Sequence, residues 1–255
     1  MGEHIRRRRP SRLSRIISGI IGVIGELLIT AAFVIGLFAV WQVYWTSYEV
    51  AAPVKHAVTT FTREHTPEKI KLGEVRTDAP PSFAQSPALH DLYGVVHVPK
   101  WDWAKIPLSE GIDLEVLNAG HAGHYPQTAQ AGEIGNFSIA GHRRSYGDVF
   151  LRIDQLAQGD PVVVDLPGYY LVYTVESSEI VPADDPENIR VIAPVIGDAS
   201  YSQVPTERWM TMTTCHPEYG ISERYIVHLK FASWTPKDTG VPAELLDEPG
   251  LGDAS

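Results

Sequence analysis

Hydrophobic residues follow two different patterns along the chain. Residues 16–45 are almost wholly apolar, and a helix of about 20 apolar residues is long enough to cross a bilayer. From residue 92 to residue 234, apolar and polar residues alternate in short runs that Gly and Pro separate, which is typical of β-strands. The two patterns therefore predict one N-terminal transmembrane helix followed by an all-β domain.

The short runs predict individual elements within this β domain. Residues 113–118 and 149–156 are predicted to form short helices, residues 119–126 a loop, and residues 189–196 a further strand or a mixed segment. The clearest strands are predicted at residues 93–98, 104–108, 136–142, 162–165, 169–180, 209–215 and 225–231. Many short strands joined by Gly and Pro turns favour a closed barrel or a sandwich.

Changes in composition divide the chain into five segments. A proline-rich stalk separates the apolar segment from the β domain, and an acidic tail, expected to be loosely held, follows it. The boundaries predict a basic tail at 1–15, a transmembrane anchor at 16–45, the stalk at 46–91, the β domain at 92–234 and the acidic tail at 235–255.

The charges are distributed unevenly. Six of the 21 Lys and Arg residues lie in the first fifteen residues, against one of the 31 acidic residues. The remainder therefore carries 15 basic and 30 acidic groups, a formal charge of −15. A nucleic-acid-binding domain has the opposite balance, so the sequence excludes nucleic acid as a partner.

The arginine cluster also predicts the orientation of the apolar segment. Basic residues before a span keep that end in the cytoplasm, which places everything after Trp45 outside. Trp41, Tyr44 and Trp45 form an aromatic belt at the outer interface. A cleaved signal peptide is the alternative, but its apolar region is shorter than this segment. We therefore predict a single-pass protein of the cell membrane with an extracytoplasmic domain.

The chain contains a single cysteine, Cys215. A lone cysteine excludes a disulfide within the chain, so in an oxidising compartment its thiol is a candidate nucleophile. In the strand that contains it, Met210 and Met212 share one face and Cys215 lies on the other. A buried structural thiol would share the face of the methionines. The alternation therefore places Cys215 on the outer, more polar surface.

Two further polar side chains are predicted to lie on the same outer face of the sheet as Cys215. The apolar residues of the last strand alternate so that Arg224 faces away from them. In the strand at 136–142, Phe137 and Ile139 point inward, which places His142 on the outer face. A thiol, an imidazole and a guanidinium on one surface supply a nucleophile, a general acid or base, and a cation for a developing oxyanion.

These residues lie in two motifs. The sequence Thr-Met-Thr-Thr-Cys at 211–215, with Arg224 at the start of the next strand, resembles the sortase signature Thr-Leu-x-Thr-Cys. The sequence Gly-His-Arg at 141–143 is similar to the strand end that carries the sortase histidine. The sequence at 213–217, together with the N-terminal anchor, is most similar to the class E sortases of actinobacteria. The resemblance covers residues 92–234 and implies an eight-stranded sortase-type β-barrel.

The resemblance also implies a reaction. Cys215, His142 and Arg224 would be the catalytic residues, with Thr213 and Thr214 binding substrate and with neither metal nor cofactor. Sortases cleave a C-terminal sorting signal between Thr and Gly, hold the Thr carbonyl as a thioester, and pass it to the amine of a lipid-linked cell-wall precursor. Class E members are associated with Leu-Ala-x-Thr-Gly signals in place of Leu-Pro-x-Thr-Gly. The implied partners are therefore surface proteins with sorting signals, the precursor amine and the membrane.

Other functions remain as alternatives. A peptidoglycan-directed cysteine hydrolase or L,D-transpeptidase carries a Ser-x-Gly-Cys context that this sequence lacks. A catalytically silent binding module would have lost one of the three residues. Three other groups are weaker candidates: His216 as the catalytic base, His121 with His124 as metal ligands, and Asp184, Asp185 and Glu187 as a Ca²⁺ loop.

Overall fold

The computed structural model describes residues 12–67, 70–83 and 85–251. The chain divides into two units, residues 1–44 and residues 45–255. Most of the predicted basic tail and the last four residues of the predicted acidic tail lie outside the described residues.

The apolar segment forms helix α1, which spans Arg12–His65. Within the described residues, the helical stretch Arg15–His65 is long and apolar enough to be a candidate membrane span. The helix continues through Pro53 into the predicted stalk, so its end lies about twenty residues beyond the predicted anchor. Tertiary packing explains this extension, because Val58 and Phe61 of α1 are buried against Val95 of the β domain.

The β domain is a closed barrel of eight strands, which confirms the fold expected from the resemblance. The strands around the barrel follow the order β1-β2-β3-β4-β7-β8-β6-β5. Two neighbouring pairs, β2 with β3 and β4 with β7, are parallel, and the other pairs are antiparallel. The elements are β1 Leu92–Val98, β2 Ala104–Glu110, α2 Leu114–Leu117, β3 Ala122–His124, β4 Gly135–Ala140, β5 Pro161–Asp165, β6 Tyr169–Pro182, β7 Arg208–His216 and β8 Glu223–Pro236.

The predicted alternation of inward and outward residues is confirmed on the strands that matter for the site. Phe137 and Ile139 of β4, Met210 and Met212 of β7, and Val227 of β8 are all buried in the barrel core. On the opposite face of β4 and β7, the side chains near the strand starts are covered as well, by the segment around residues 191–193. The end of β4 at Ala140 and the end of β7 at Cys215 and His216 are partly open to solvent, as is the start of β7 at Arg208 and Trp209.

Two local predictions were wrong, and for a third the structure shows the mixed segment and not the strand. Strand β3 falls in the predicted loop, because three residues are too few to show alternation and its pairing with β2 is not visible in the sequence. The predicted helix at 149–156 is reduced to a 3₁₀ turn at Ile153–Gln155. Residues 189–196 contain no strand, because a 3₁₀ helix at Pro186–Val191 begins at the capping side chain of Asp185.

The predicted spacer after α1 packs against the barrel. Isolated β-bridges join Leu72 to Val241 and Arg76 to Trp234. The indole Nε1 of Trp234 also donates a hydrogen bond of 3.0 Å to Asp78 Oδ1. This part of the proline-rich stalk therefore lies along the surface of the barrel.

The segment after β8 is also held firmly, so the expectation of a loosely held tail was wrong for the residues that the structure describes. Val241, Leu245 and Leu251 are buried in one apolar cluster. Glu248 is buried and pairs with His97 Nδ1 at 2.9 Å and with Lys105 Nζ at 2.8 Å. The acidic composition did not indicate this packing, because the one carboxylate that pairs with His97 and Lys105 cannot be told from its solvated neighbours in the sequence.

Candidate active site

Cys215 and Arg224 lie directly opposite each other on neighbouring antiparallel strands. They are paired in register at the end of β7 and the start of β8. Both residues are half-buried, and Cys215 is a free thiol. Arg224 Nη1 donates hydrogen bonds of 2.9 Å to the carbonyl oxygens of Ile221 and Glu223. The turn between the strands therefore holds the guanidinium in place while leaving its remaining donors for other partners.

His142 reaches the same end of the sheet from β4. Strands β4 and β7 are parallel, and the last pair in their register is Ala140 with Thr213. Two residues further along each chain come His142 and Cys215. Equal offsets from a paired position place both residues at the same edge of the barrel.

A hydrogen bond orients the imidazole of His142. Its Nε2 lies 2.9 Å from Asn118 Oδ1, at the C-terminal end of α2, and its ring centroid lies 5.4 Å from that of Tyr146. An amide oxygen only accepts, so Nε2 carries the proton and Nδ1 is the nitrogen without it. Burial lowers the pKa of His142, which favours the neutral imidazole at neutral pH.

Thr213 and Thr214 are both buried, and their hydroxyl groups bond to other parts of the protein. Thr214 Oγ1 donates to Gly141 O at 2.7 Å, and Thr213 Oγ1 donates to Ile139 O at 3.3 Å. In this structure the two hydroxyls therefore tie β7 to the strand that leads to His142.

Tyr125 is a site residue that the sequence did not indicate. Its hydroxyl donates to Thr213 Oγ1 at 3.0 Å. Burial raises the pKa of Tyr125, and the hydrogen bond with Thr213 and the positive charge of Arg224 oppose this shift. No motif pointed to this residue, and the strand that it follows, β3, was not predicted from the sequence.

The metal-binding alternatives are not brought together. His121 Nδ1 lies 2.9 Å from Ser109 Oγ, whereas His124 is fully buried with Nδ1 2.8 Å from Glu110 Oε2. The acidic loop is exposed, and Asp185 caps the 3₁₀ helix that follows it. In the described part of the chain, no group of three or more potential metal ligands converges.

The histidines of β7 and β8 bond to other side chains. His216 Nδ1 accepts a hydrogen bond of 2.8 Å from Arg143 Nη1. His228 is buried on the outer face of β8, between Thr211 Oγ1 at 2.9 Å and Glu179 Oε1 at 3.2 Å.

Comparison with known proteins identifies the family. The model of the Sortase domain matches residues 96–232, which is more than half of the chain. The chain belongs to the sortase family. Two sortases of Streptomyces coelicolor are similar along most of its length: Sortase SrtE1 is 32% identical and Sortase SrtE2 is 30% identical, each over 229 residues. The alignments cover 88% and 87% of this sortase, but only 60% of SrtE1 and 84% of SrtE2.

Solved structures support the same assignment. SrtA sortase from Actinomyces oris is 42% identical with a TM-score of 0.63, and the match covers 69% of this chain and 99% of that one. Sortase E1 from Streptomyces coelicolor, solved with a tripeptide in its active site, is 36% identical with a TM-score of 0.54 and covers 64% and 99%. The barrel is therefore a cysteine transpeptidase domain of the class E type.

Proposed function

We propose that Cys215, His142 and Arg224 cleave a C-terminal sorting signal between Thr and Gly and transfer the new Thr carbonyl to a cell-wall precursor amine. The observation that carries this proposal is the shared edge of three strands. Cys215 and Arg224 are opposite each other across β7 and β8, and His142 lies at the matching offset beyond β4.

The chemistry divides into two half-reactions. In the first, the sulfur of Cys215 attacks the Thr carbonyl carbon, and the C–N bond to Gly breaks. His142 takes the proton of the Cys215 thiol and delivers it to the leaving amine, and a thioester remains on Cys215. In the second, the precursor amine attacks the thioester and the C–S bond breaks. His142 removes the extra proton of the amine and returns it to the sulfur, which restores the thiol. Arg224 stabilises the oxyanion that forms in both steps.

The proposed role of the two threonines is limited by their contacts. Both hydroxyls already bond to protein oxygens. We therefore propose that Thr213 and Thr214 contact the substrate through other atoms of β7 and not through those hydroxyls. The half-buried Tyr125 borders the same site.

The signal that we propose is Leu-Ala-x-Thr-Gly, with Leu-Pro-x-Thr-Gly as the weaker substrate. Similarity to the two class E sortases supports this preference. The tripeptide bound in Sortase E1 supports a peptide as the occupant of the equivalent site here. The substrates would then be surface proteins that carry this signal at their C-terminus.

The apolar helix supports a membrane-bound location. We propose that the anchor at residues 16–45 holds the enzyme in the cell membrane, with its catalytic domain at 92–234 outside. Membrane-tethered substrate, lipid-linked amine and enzyme then share one surface, which raises their effective concentration without further contacts.

A peptide-cleavage assay with the full-length chain in detergent tests this function. Fluorogenic Leu-Ala-x-Thr-Gly and Leu-Pro-x-Thr-Gly peptides are compared, each with and without an added amine. We expect cleavage between Thr and Gly, amine-dependent ligated product, and complete loss of both in Cys215→Ala with an unchanged melting temperature. Cleavage of peptidoglycan fragments with neither peptide cut would instead establish the peptidoglycan-directed alternative.

A further inference from the structure

Side-chain contacts link the two catalytic segments beyond the end of their backbone pairing, and one of them joins the residues that follow His142 and Cys215. The β4–β7 ladder ends at Ala140 and Thr213. Arg143, the residue after His142, then donates a hydrogen bond of 2.8 Å from Nη1 to Nδ1 of His216, the residue after Cys215. The contact therefore connects the immediate neighbours of the proposed acid–base group and of the proposed nucleophile.

The guanidinium in this contact is fixed from three sides. Arg143 is only 3% exposed. Its Nη2 donates to Asp154 Oδ2 at 2.7 Å, and its central carbon lies 5.6 Å from the centroid of the Tyr225 ring. Because few alternative positions are open to it, a partner bound to Nη1 is fixed relative to the barrel.

The contact also determines which ring nitrogen of His216 carries the proton. A guanidinium only donates, so Nδ1 accepts and the imidazole proton is on Nε2. That nitrogen lies 3.8 Å from Glu223 Oε2, on the strand that begins with Glu223 and Arg224. The lone pair of His216 is thus already used by Arg143 and cannot serve as the catalytic base.

We propose that Arg143 and His216 are positioning residues whose hydrogen bond, called here the Arg–His bridge, fixes His142 relative to Cys215. The inference rests on the proposed function of this site, because it assigns the bridge to the geometry of that reaction. Groups that react with one another must be held at fixed relative positions, since a displacement of about 1 Å can cost roughly 10²-fold in rate. Beyond the backbone ladder, Thr214 Oγ1 bonds Gly141 O at 2.7 Å and Arg144 Nε bonds Glu218 Oε1 at 2.7 Å. The bridge adds the constraint that acts on the direct neighbours of His142 and Cys215.

Two substitutions at His216 form a matched pair that tests whether its hydrogen-bond acceptor for Arg143 is needed for the reaction. The Oδ1 of asparagine falls where His216 Nδ1 lies, so His216→Asn keeps an acceptor for Arg143. The amide of glutamine falls where Nε2 lies, so His216→Gln keeps a polar side chain of similar size but removes that acceptor. Since His216 is partly exposed, both variants are expected to fold.

The variants are compared as full-length proteins in detergent, with the fluorogenic sorting peptide. We expect His216→Gln to lower kcat about tenfold, with KM for the peptide and the melting temperature unchanged. His216→Asn should stay within about twofold of the wild type. Adding Arg143→Met to His216→Gln should cause little further loss in kcat, because the two residues act through one contact.

Other results would overturn the proposal. Equal and severe losses in the asparagine and glutamine variants would make His216 a catalytic base. Equal and negligible losses would show that the bridge has no role. A loss in kcat accompanied by a parallel fall in melting temperature would show a purely structural role.

A readout without catalysis separates this inference from the proposed function. If the wild type cleaves no sorting peptide, the proposed function fails, and the bridge is judged from the NMR signals of ¹⁵N-labelled His142. Signals that move in His216→Gln and not in His216→Asn support the bridge. Signals that are the same in both variants overturn it.

Discussion

The residue that controls the chemistry of His142 is Asn118, which accepts the Nε2 proton of the imidazole. A neutral acceptor leaves burial as the dominant influence, so the pKa of His142 is lowered. We expect Asn118→Asp to raise that pKa, because a carboxylate at the same position stabilises the imidazolium. His142 then stays protonated to a higher pH, so the acid limb of the kcat profile, where the imidazole can no longer accept the thiol proton, moves upward. NMR titration of the His142 ring measures the shift directly.

The control for this experiment is Asn118→Ser, which keeps a neutral acceptor in a shorter side chain. Its titration midpoint should remain below that of the aspartate variant. A midpoint that is the same in the wild type and in Asn118→Asp would show that Asn118 does not contact the titrating ring in solution.

Arg224→Lys tests whether geometry or charge matters at the oxyanion position. One guanidinium nitrogen already bonds the carbonyl oxygens of Ile221 and Glu223, and a lysine cannot keep those contacts and present further donors. We expect kcat to fall about 10²-fold, as when one oxyanion donor is lost elsewhere. Arg190→Lys, whose partner is Glu179, is the control and should be near normal. Near-normal turnover of Arg224→Lys would show that positive charge alone suffices.

Period-2 alternation was enough to place the main candidate residues on one face. It predicted that Cys215 and Arg224 face away from the core, and the register confirms that they are neighbours. It could not indicate Asn118, Tyr125 or Arg143. Their contacts join residues 24, 88 and 73 positions apart, and a local pattern carries no information about such separations.

Among the elements, the segment after β8 makes a contribution to stability that can be measured. Burial alone would raise the pKa of Glu248, but His97 and Lys105 outweigh it and the pKa is lowered. Burial likewise opposes protonation of His97, whose pKa is nevertheless raised by Asp165 and Glu248. Removing the carboxylate in Glu248→Gln takes the nearer carboxylate from the buried His97, which keeps Asp165 at 3.5 Å, and takes a 2.8 Å partner from the partly exposed Lys105. We expect this to cost about 3 kcal/mol.

We expect Glu248→Gln to lower the melting temperature at neutral pH by roughly 10 °C. Because the folded-state pKa of Glu248 is below its unfolded value, this contribution is present above the unfolded pKa and is lost as the pH falls through the folded one. The difference between variant and wild type should therefore shrink in acid. Thermal unfolding measures both effects, with the exposed neighbour in Asp247→Asn as the control. A difference that persists at low pH would contradict the ion-pair explanation.

Element prediction succeeded where a strand is long enough to show its period. Strands β4, β7 and β8 were located to within a few residues. Strand β3 and the docked tail were missed for the same physical reason, since each is held by partners far along the chain. Hydrogen bonds to β2 hold β3, and buried ion pairs with residues of β1 and β2 hold the tail.

At the scale of the whole molecule, the expected topology can be tested through the one cysteine of the chain. The candidate span and the arginines before it predict that Cys215 lies outside the membrane. In intact, wall-stripped cells, an impermeant thiol reagent should label the wild type and should not label Cys215→Ser. Labelling only after the membrane is breached would place the domain inside and would remove the proposed function.

The docked C-terminal segment has a consequence for how the protein is made. Glu248 follows its partner His97 by 151 residues, a delay of roughly 8–30 s at about 5–20 residues per second. Until then His97 has Asp165 but lacks its nearer carboxylate, Glu248, and the apolar patch that Val241, Leu245 and Leu251 cover is exposed. We expect stalled nascent chains to become resistant to protease only at lengths that expose Glu248, so the barrel matures after synthesis of its strands is complete.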